Sequence, residues 1–230
     1  YLPLNDIPDS VFSTLGPLLK KYLREQNKEF WAFEDIHHQV NVPTCQLTGW
    51  YDRLIGTIDN FAGMVKSGPE SMCDQHRLII GPWGHNSDNL LRHQGPLDFG
   101  PDADTTYPQE VARWYDCRFK GIDNGIGTEP PVKLFVMGEN RWRFEHEWPL
   151  ARTQYMEFFL HSGGAANTVW GDGTLSISEP GREKLDEYAY DPKDPVMSMM
   201  GIDAQAAPRD QSPLNGRKDI LVYQTPPLQE

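Results

Sequence analysis

The sequence predicts an α/β unit with parallel strands followed by an all-β sandwich, and three observations carry that expectation. Two short apolar runs, Cys45 to Thr48 and Leu78 to Ile80, each close on a glycine, Gly49 and Gly81. Runs of that length bounded by glycine read as buried strands. Between them, residues 57–66 place Ile58, Phe61, Ala62 and Val65 at helical spacing, so this stretch reads as a helix. Strand, helix and strand within about 40 residues form a βαβ unit, whose two strands pair in parallel as neighbours. From Val132 onward the pattern changes to several short runs between turn residues, as in a β-sandwich.

Taken in order, residues 9–26 are expected to form a helix capped by Asp9 or Ser10. Val11, Phe12, Leu15, Leu18, Leu19, Tyr22 and Leu23 share one broad face. Pro17 lies inside this pattern and should kink or split it. An aromatic cluster follows at Phe30, Trp31 and Phe33, most simply packed against the sheet. His37 and His38 are adjacent just before the first strand. Neighbours on an extended segment point in opposite directions, which favours a structural role over a shared metal. Residues 67–71 are rich in turn formers. Residues 86–104, rich in Gly, Asp, Asn and Pro, read as a long loop with His93 on its surface.

A helix is expected over residues 107–120. Pro108 suits its first turn, and Gly121 stops it. Val111, Trp114, Tyr115 and Phe119 form a stripe facing the sheet. Residues 122–131 are Gly/Pro-rich and mark the domain boundary. Strands are then expected at 132–137, 152–160, 175–178, 185–190 and 219–223. In the second of these, Tyr155, Glu157 and Phe159 alternate with Met156, Phe158 and Leu160. Met197 to Met200 read as a packing loop.

Composition narrows the function classes. Of 230 residues, 38% are hydrophobic, including 7 Trp, 9 Tyr and 10 Phe, which supports a packed core and argues against disorder. The net charge of −12 disfavours nucleic acid and anionic membrane as partners. No apolar run approaches the length needed to cross a bilayer. The three cysteines, Cys45, Cys73 and Cys117, form no C-x-x-C pair, which argues against a zinc site or a disulfide framework. No metal or cofactor is expected.

The chemistry is expected just past the strand ends. Asp52 follows the first Gly-aromatic turn and His85 the second, 33 residues later. Open α/β sheets place their sites outside the carboxyl ends of adjacent strands. A carboxylate there would accept a hydrogen bond from one imidazole nitrogen, fix the tautomer and stabilise the imidazolium. The plainer alternative makes Asp52 a helix cap and His85 a loop residue.

The motifs themselves add to this. Gly49-Trp50-Tyr51-Asp52 and Gly81-Pro82-Trp83-Gly84-His85 resemble the acid and histidine motifs of the cocaine esterase / Xaa-Pro dipeptidyl-peptidase family of serine hydrolases, which includes α-amino acid ester hydrolase-related β-lactam acylases. Residues 131–138 (PVKLFVMG), Trp142, 147–150 (EWPL), 173–176 (GTLS), 190–192 (YDP) and 194–196 (DPV) resemble the start of that family's C-terminal β-domain. The resemblance covers nearly the whole chain. It implies the end of a helical cap at 1–40, the C-terminal part of an α/β-hydrolase domain at 41–125 and a partial jelly roll at 126–230. It also implies that Asp52 and His85 are triad members, with Trp50, Tyr51 and Trp83 as pocket or scaffold residues. Phe30, Trp31 or Phe33 would end the cap and could wall the acyl pocket. The implied substrate is a small-molecule acyl ester or amide.

A nucleophile is missing from this picture. None of the serines, Ser162 before Gly163-Gly164 included, has the flanking glycines of a G-x-S-x-G elbow. In the family the serine precedes the acid, so the chain is expected to be an internal piece of a longer enzyme, inactive alone. Its open sheet edge and uncovered apolar face would need the remainder of the polypeptide or a homo-oligomer. The rival expectation is a non-catalytic β-sandwich binding module with an α/β remnant.

Overall fold

A computed structural model describes residues 6–12, 15–25, 33–52, 54–85, 92–105, 107–197 and 208–228. The expected βαβ unit is present. Strand β1 (Cys45–Tyr51) leads through a helix at Leu54–Ser67 to β2 (Arg77–Gly84), and the two strands pair in parallel. The helix begins three residues earlier than its apolar spacing indicates. It is the third α-helix in the chain, after α1 (Asp9–Phe12) and α2 (Leu15–Glu25), and is called α3.

β2 is buried along its whole length because it is paired on both sides. Its side chains divide by the period of two. Leu78 and Ile80 join Phe61 of α3 in one cluster, while Ile79 and Trp83 join a second with Cys45, Leu47 and Trp142. Burial pushes the Cys45 thiol up to about 11, as a buried core cysteine requires.

β2's second neighbour corrects the sequence reading. The next two strands after β2 are a short hairpin, β3 (His93–Gln94) and β4 (Leu97–Asp98), inside the stretch expected to be an irregular loop. His93 is exposed there, as expected. Strand β5 (Val132–Val136), expected to open the all-β part, instead pairs in parallel with β2, and β6 (Arg141–Glu145) pairs antiparallel with β5. The result is a four-stranded mixed sheet in the order β1-β2-β5-β6. A strand's own sequence states its propensity; the sheet it joins is set by apolar area elsewhere. Here Val132 and Leu134 complete the Phe61 cluster, and Phe135 packs with Phe99 and Ala103 on the other face.

Polar groups lock the rim of this sheet. Arg77, with 4% of its side chain exposed, donates to Glu129 at 2.5 Å, and Arg113 binds the same carboxylate. Lys133 pairs with Glu110 at 2.6 Å. His37 is buried against Gly63, its Nε2 2.9 Å from Asn60 Oδ1. His38 is exposed beside Gln39. The two histidines therefore have separate surroundings, but they lie on a 3-10 helical segment, Phe33–Gln39, and not on the extended backbone from which their divergence was expected.

Other expectations are met in part. Of the expected N-terminal helix, α1 and α2 are described, and Pro17 lies in the first turn of α2, where its missing N–H costs no helical bond. Phe30 and Trp31 lie outside the described residues, as do 198–200, and the Phe33 side chain is likewise outside them. Helix α4 (Tyr107–Lys120) has the expected bounds. Of its stripe only Trp114 is buried; Tyr115 and Phe119 are exposed and stack on each other at 5.3 Å.

The all-β part carries fewer paired strands than expected. β7 (Phe159–His161) and β8 (Thr174–Ser176) form an antiparallel pair. Residues 153–158 form no ladder, and neither do 185–190 or 219–223, although an isolated bridge joins Thr174 to Gln224. Tyr155, Met156 and Phe158 stand exposed. Alternation states which residues could face a core; a ladder also needs a partner strand.

Candidate active site

The candidate pair is positioned by an irregularity in the β1–β2 ladder. The register runs residue for residue from Cys45↔Arg77 to Gly49↔Gly81, and then jumps to Tyr51↔Gly84. Three residues of β2 thus oppose two of β1, a bulge at Pro82-Trp83. Without it, Asp52 would come opposite Gly84, and His85 would lie one residue out of step. A one-residue slip reverses the face on which a side chain emerges. With the bulge, Asp52 and His85 each follow a paired residue and meet.

The two motif glycines make the bulge feasible. A Cβ on Gly49 would overlap the carbonyl oxygen of Trp83, which leans toward β1. A Cβ on Gly81 would overlap the Trp83 indole ring. The glycine-aromatic grammar of both motifs therefore has one steric cause: the bulged tryptophan occupies the space of two side chains.

Asp52 Oδ1 lies 2.6 Å from His85 Nδ1. The carboxylate is largely covered, with 21% of its side chain exposed, and the imidazole is 51% exposed. An ionised carboxylate only accepts, so Nδ1 carries the proton. In the neutral ring, Nε2 then keeps its lone pair, free to accept a proton from a nucleophile.

The aromatic neighbours divide in role. Trp83, proposed from the sequence as a pocket or scaffold residue, is fully buried, packs at 5.6 Å from Trp142 and so presents no surface to a substrate. Trp50 is half-buried, and its Nε1 donates to the Phe135 carbonyl at 2.7 Å, fixing the ring between β1 and β5. Tyr51 is half-buried with its ring 6.1 Å from Phe99.

One residue at the site was missed by sequence reasoning. The Gly84 amide, immediately before His85, donates to Gln94 Oε1 at 2.9 Å. Gln94 is buried, on β3 of the small hairpin. A lone glutamine in a polar stretch carries no sequence signal of burial. The hairpin is tied down in turn. Arg92 donates its backbone N–H to Asp104 at 2.8 Å and its guanidinium to Asp98 at 2.7 Å. The Gly100 N–H and Arg92 hold the Asp98 carboxyl below its ordinary value.

A second Ser-His-acid cluster occurs in the β7–β8 region. His161 Nδ1 lies 2.7 Å from Glu183, and Ser176 Oγ lies 3.3 Å from His161 Nε2. The Ser178 carbonyl, however, is closer to Nε2, at 2.9 Å. A carbonyl only accepts, so Nε2 is protonated and cannot act as a base. Glu183 and the Ser178 carbonyl together favour the imidazolium and raise the His161 pKa. Ser162, the serine beside the glycine pair, donates to Asp186 at 2.6 Å.

Comparison with known proteins bears on both halves of the chain. Residues 124–230 match the X-Pro dipeptidyl-peptidase C-terminal non-catalytic domain. The cocaine esterase of Rhodococcus sp. (strain MB1 Bresler) is 36% identical over 211 residues, which are 86% of this chain and 35% of the esterase. The chain thus spans about a third of that relative's length. The crystal structure of an aminopeptidase from a marine sediment archaeon, Thaumarchaeota archaeon, superposes with a TM-score of 0.73 at 23% identity. The match covers 96% of this chain and 38% of the aminopeptidase, a likeness of fold.

Proposed function

The chain belongs to the cocaine esterase / Xaa-Pro dipeptidyl-peptidase-like family of hydrolases, and on that premise we propose that it supplies the acid and the base of a Ser-His-Asp triad. The observation that carries the proposal is the 2.6 Å contact between Asp52 Oδ1 and His85 Nδ1 at the carboxyl ends of adjacent parallel strands. The mixed sheet is then the C-terminal part of an α/β-hydrolase domain, residues 1–40 end a cap, and residues 126–230 contribute to a jelly roll whose first strands are stitched to that sheet.

In this reading a serine on another part of the polypeptide attacks the carbonyl of an acyl ester or amide. His85 Nε2 takes the serine proton and passes it to the departing alcohol or amine. Asp52 holds the ring through Nδ1 and stabilises the imidazolium. Water then attacks the acyl-enzyme, with His85 again as base. Proton transfer by the residues of the triad is sufficient for both half-reactions. Short acyl esters are the proposed substrates. Xaa-Pro dipeptides are a second class, and they would require a site for the substrate amine.

A non-catalytic reading draws on the family description of residues 124–230. It applies to the β-domain and leaves the Asp52–His85 contact unexplained. Asp52→Asn in the full-length polypeptide separates the two. The triad reading expects turnover of a p-nitrophenyl ester to fall by roughly 10⁴-fold, through loss of the productive tautomer. Near-normal turnover would remove Asp52 from the mechanism.

A further inference from the structure

We infer that Gln94 is a positioning residue for His85: it holds the bulge that brings the histidine opposite Asp52. The bulge displaces β2 from a regular ladder at the point where His85 must be aimed. A bulge disrupts ladder pairing and demands other partners for the displaced backbone. The β2–β5 register extends only from Leu78 to Ile80, so β5 does not reach Gly84. Gln94 does. Its Oε1 accepts the buried Gly84 N–H at 2.9 Å, one peptide from His85.

The strap that carries Gln94 is anchored at several points. Beyond the ties of Arg92 to Asp98 and Asp104, the indoles at the sheet end bind it. Trp142 Nε1 donates to the Asp102 carbonyl at 2.6 Å, and Trp83 Nε1 reaches the Ala103 carbonyl at 3.4 Å. Phe99 and Ala103 are buried against Phe135. A strap fixed to the sheet in this way transmits its own rigidity to the Gly84 peptide. The imidazole is half-exposed, so its aim depends on backbone placement and on Asp52 more than on packing around the ring.

This inference deepens the triad reading, and its effect on turnover rests on that reading; its geometric claim is tested separately. The experiment compares Gln94→Met and Gln94→Glu in the full-length polypeptide, assayed at a temperature where circular dichroism shows each folded. Met matches the length and removes the acceptor; Glu keeps it. Q94M is expected to lower kcat for a p-nitrophenyl ester on the order of 10²-fold, with KM nearly unchanged. In histidine-labelled protein it is also expected to abolish the downfield Nδ1–H resonance of the His85–Asp52 bond. Q94E is expected to retain that resonance. A Q94M variant with an intact resonance and normal kcat overturns the inference, as does loss of the resonance in Q94E as complete as in Q94M. If the unsubstituted protein shows the resonance but hydrolyses no ester, the hydrolase reading fails, and the resonance in the two variants still decides the role of Gln94.

Discussion

Adding one methyl group at Gly49 should damage this protein, while the same change at Gly56 should not. At Gly49 the new Cβ would overlap the Trp83 carbonyl oxygen, with the Trp83 carbonyl carbon and Cα close behind. These are backbone atoms of a central strand buried on both faces, so the neighbour cannot rotate aside as a surface side chain would. Either β1 and β2 separate or the bulge is expelled. Overpacking of this kind costs about 1–3 kcal/mol, and the rigidity here favours the upper end. For a chain of this size, about 3 kcal/mol lowers Tm by roughly 6–12 °C. At Gly56, on α3, a Cβ meets nothing within 4 Å. Alanine there should stabilise by up to about 1 kcal/mol through helix propensity. Urea unfolding followed by circular dichroism reads both signs in one experiment. If G49A unfolds at the same urea concentration as the unsubstituted chain, the Trp83 carbonyl does not lean on Gly49. The bulge argument for the Asp52–His85 alignment would then be wrong.

Two further predictions concern the amino-terminal rim of the sheet. Burial lowers the His76 pKa below 6.5, against an opposing pull from Asp74. The unfolded chain therefore binds a proton at a pH where the folded chain does not. His76 leaves stability unchanged above pH 6.5 and erodes it as pH falls below that value. Urea midpoints compared at pH 7.5 and pH 5.5 should fall less for His76→Gln than for the unsubstituted chain; an equal fall would remove His76 from the acid response. Burial raises the Glu129 carboxyl pKa, but hydrogen bonds from Arg113 and Arg77 outweigh it and hold the pKa below 4.5. Glu129→Gln leaves the buried Arg77 guanidinium without its counter-charge and should cost on the order of 3 kcal/mol, read as a shift of the urea midpoint at pH 7. A change within about 0.5 kcal/mol, as for an exposed site, would mean that water or another carboxylate replaces the pair.

The sequence made the site more legible than the architecture around it. β1, α3 and β2 are short, locally contiguous and strongly patterned, so their apolar periods identify them. The approach of Asp52 to His85 follows from their order after adjacent parallel strands. The bulge that makes the contact work does not follow, because a ladder shift between Gly49 and Tyr51 depends on two strands at once. Gln94 was invisible for a related reason: its burial is imposed by the hairpin that folds over Gly84. The sheet that Val132–Val136 joins is not written in the strand itself, because pairing partners are chosen by distant apolar faces such as Phe61. Residues 153–158 show the converse. Their alternation is strong, yet strand pairing begins only at Phe159. Tyr115 and Phe119 sit at the spacing of a buried stripe and are exposed, because periodicity marks a face without stating what covers it.

If Asp52 and His85 serve a serine elsewhere on the same polypeptide, as proposed, that serine should be open to covalent capture. Fluorophosphonate labelling of the full-length protein with peptide mapping tests this most directly, with His85→Ala alongside. Covalent labelling is expected at one serine outside residues 1–230 of the full-length polypeptide, with its loss in H85A. Labelling at Ser162, Ser176 or another serine of this chain, or labelling that persists in H85A, would contradict it.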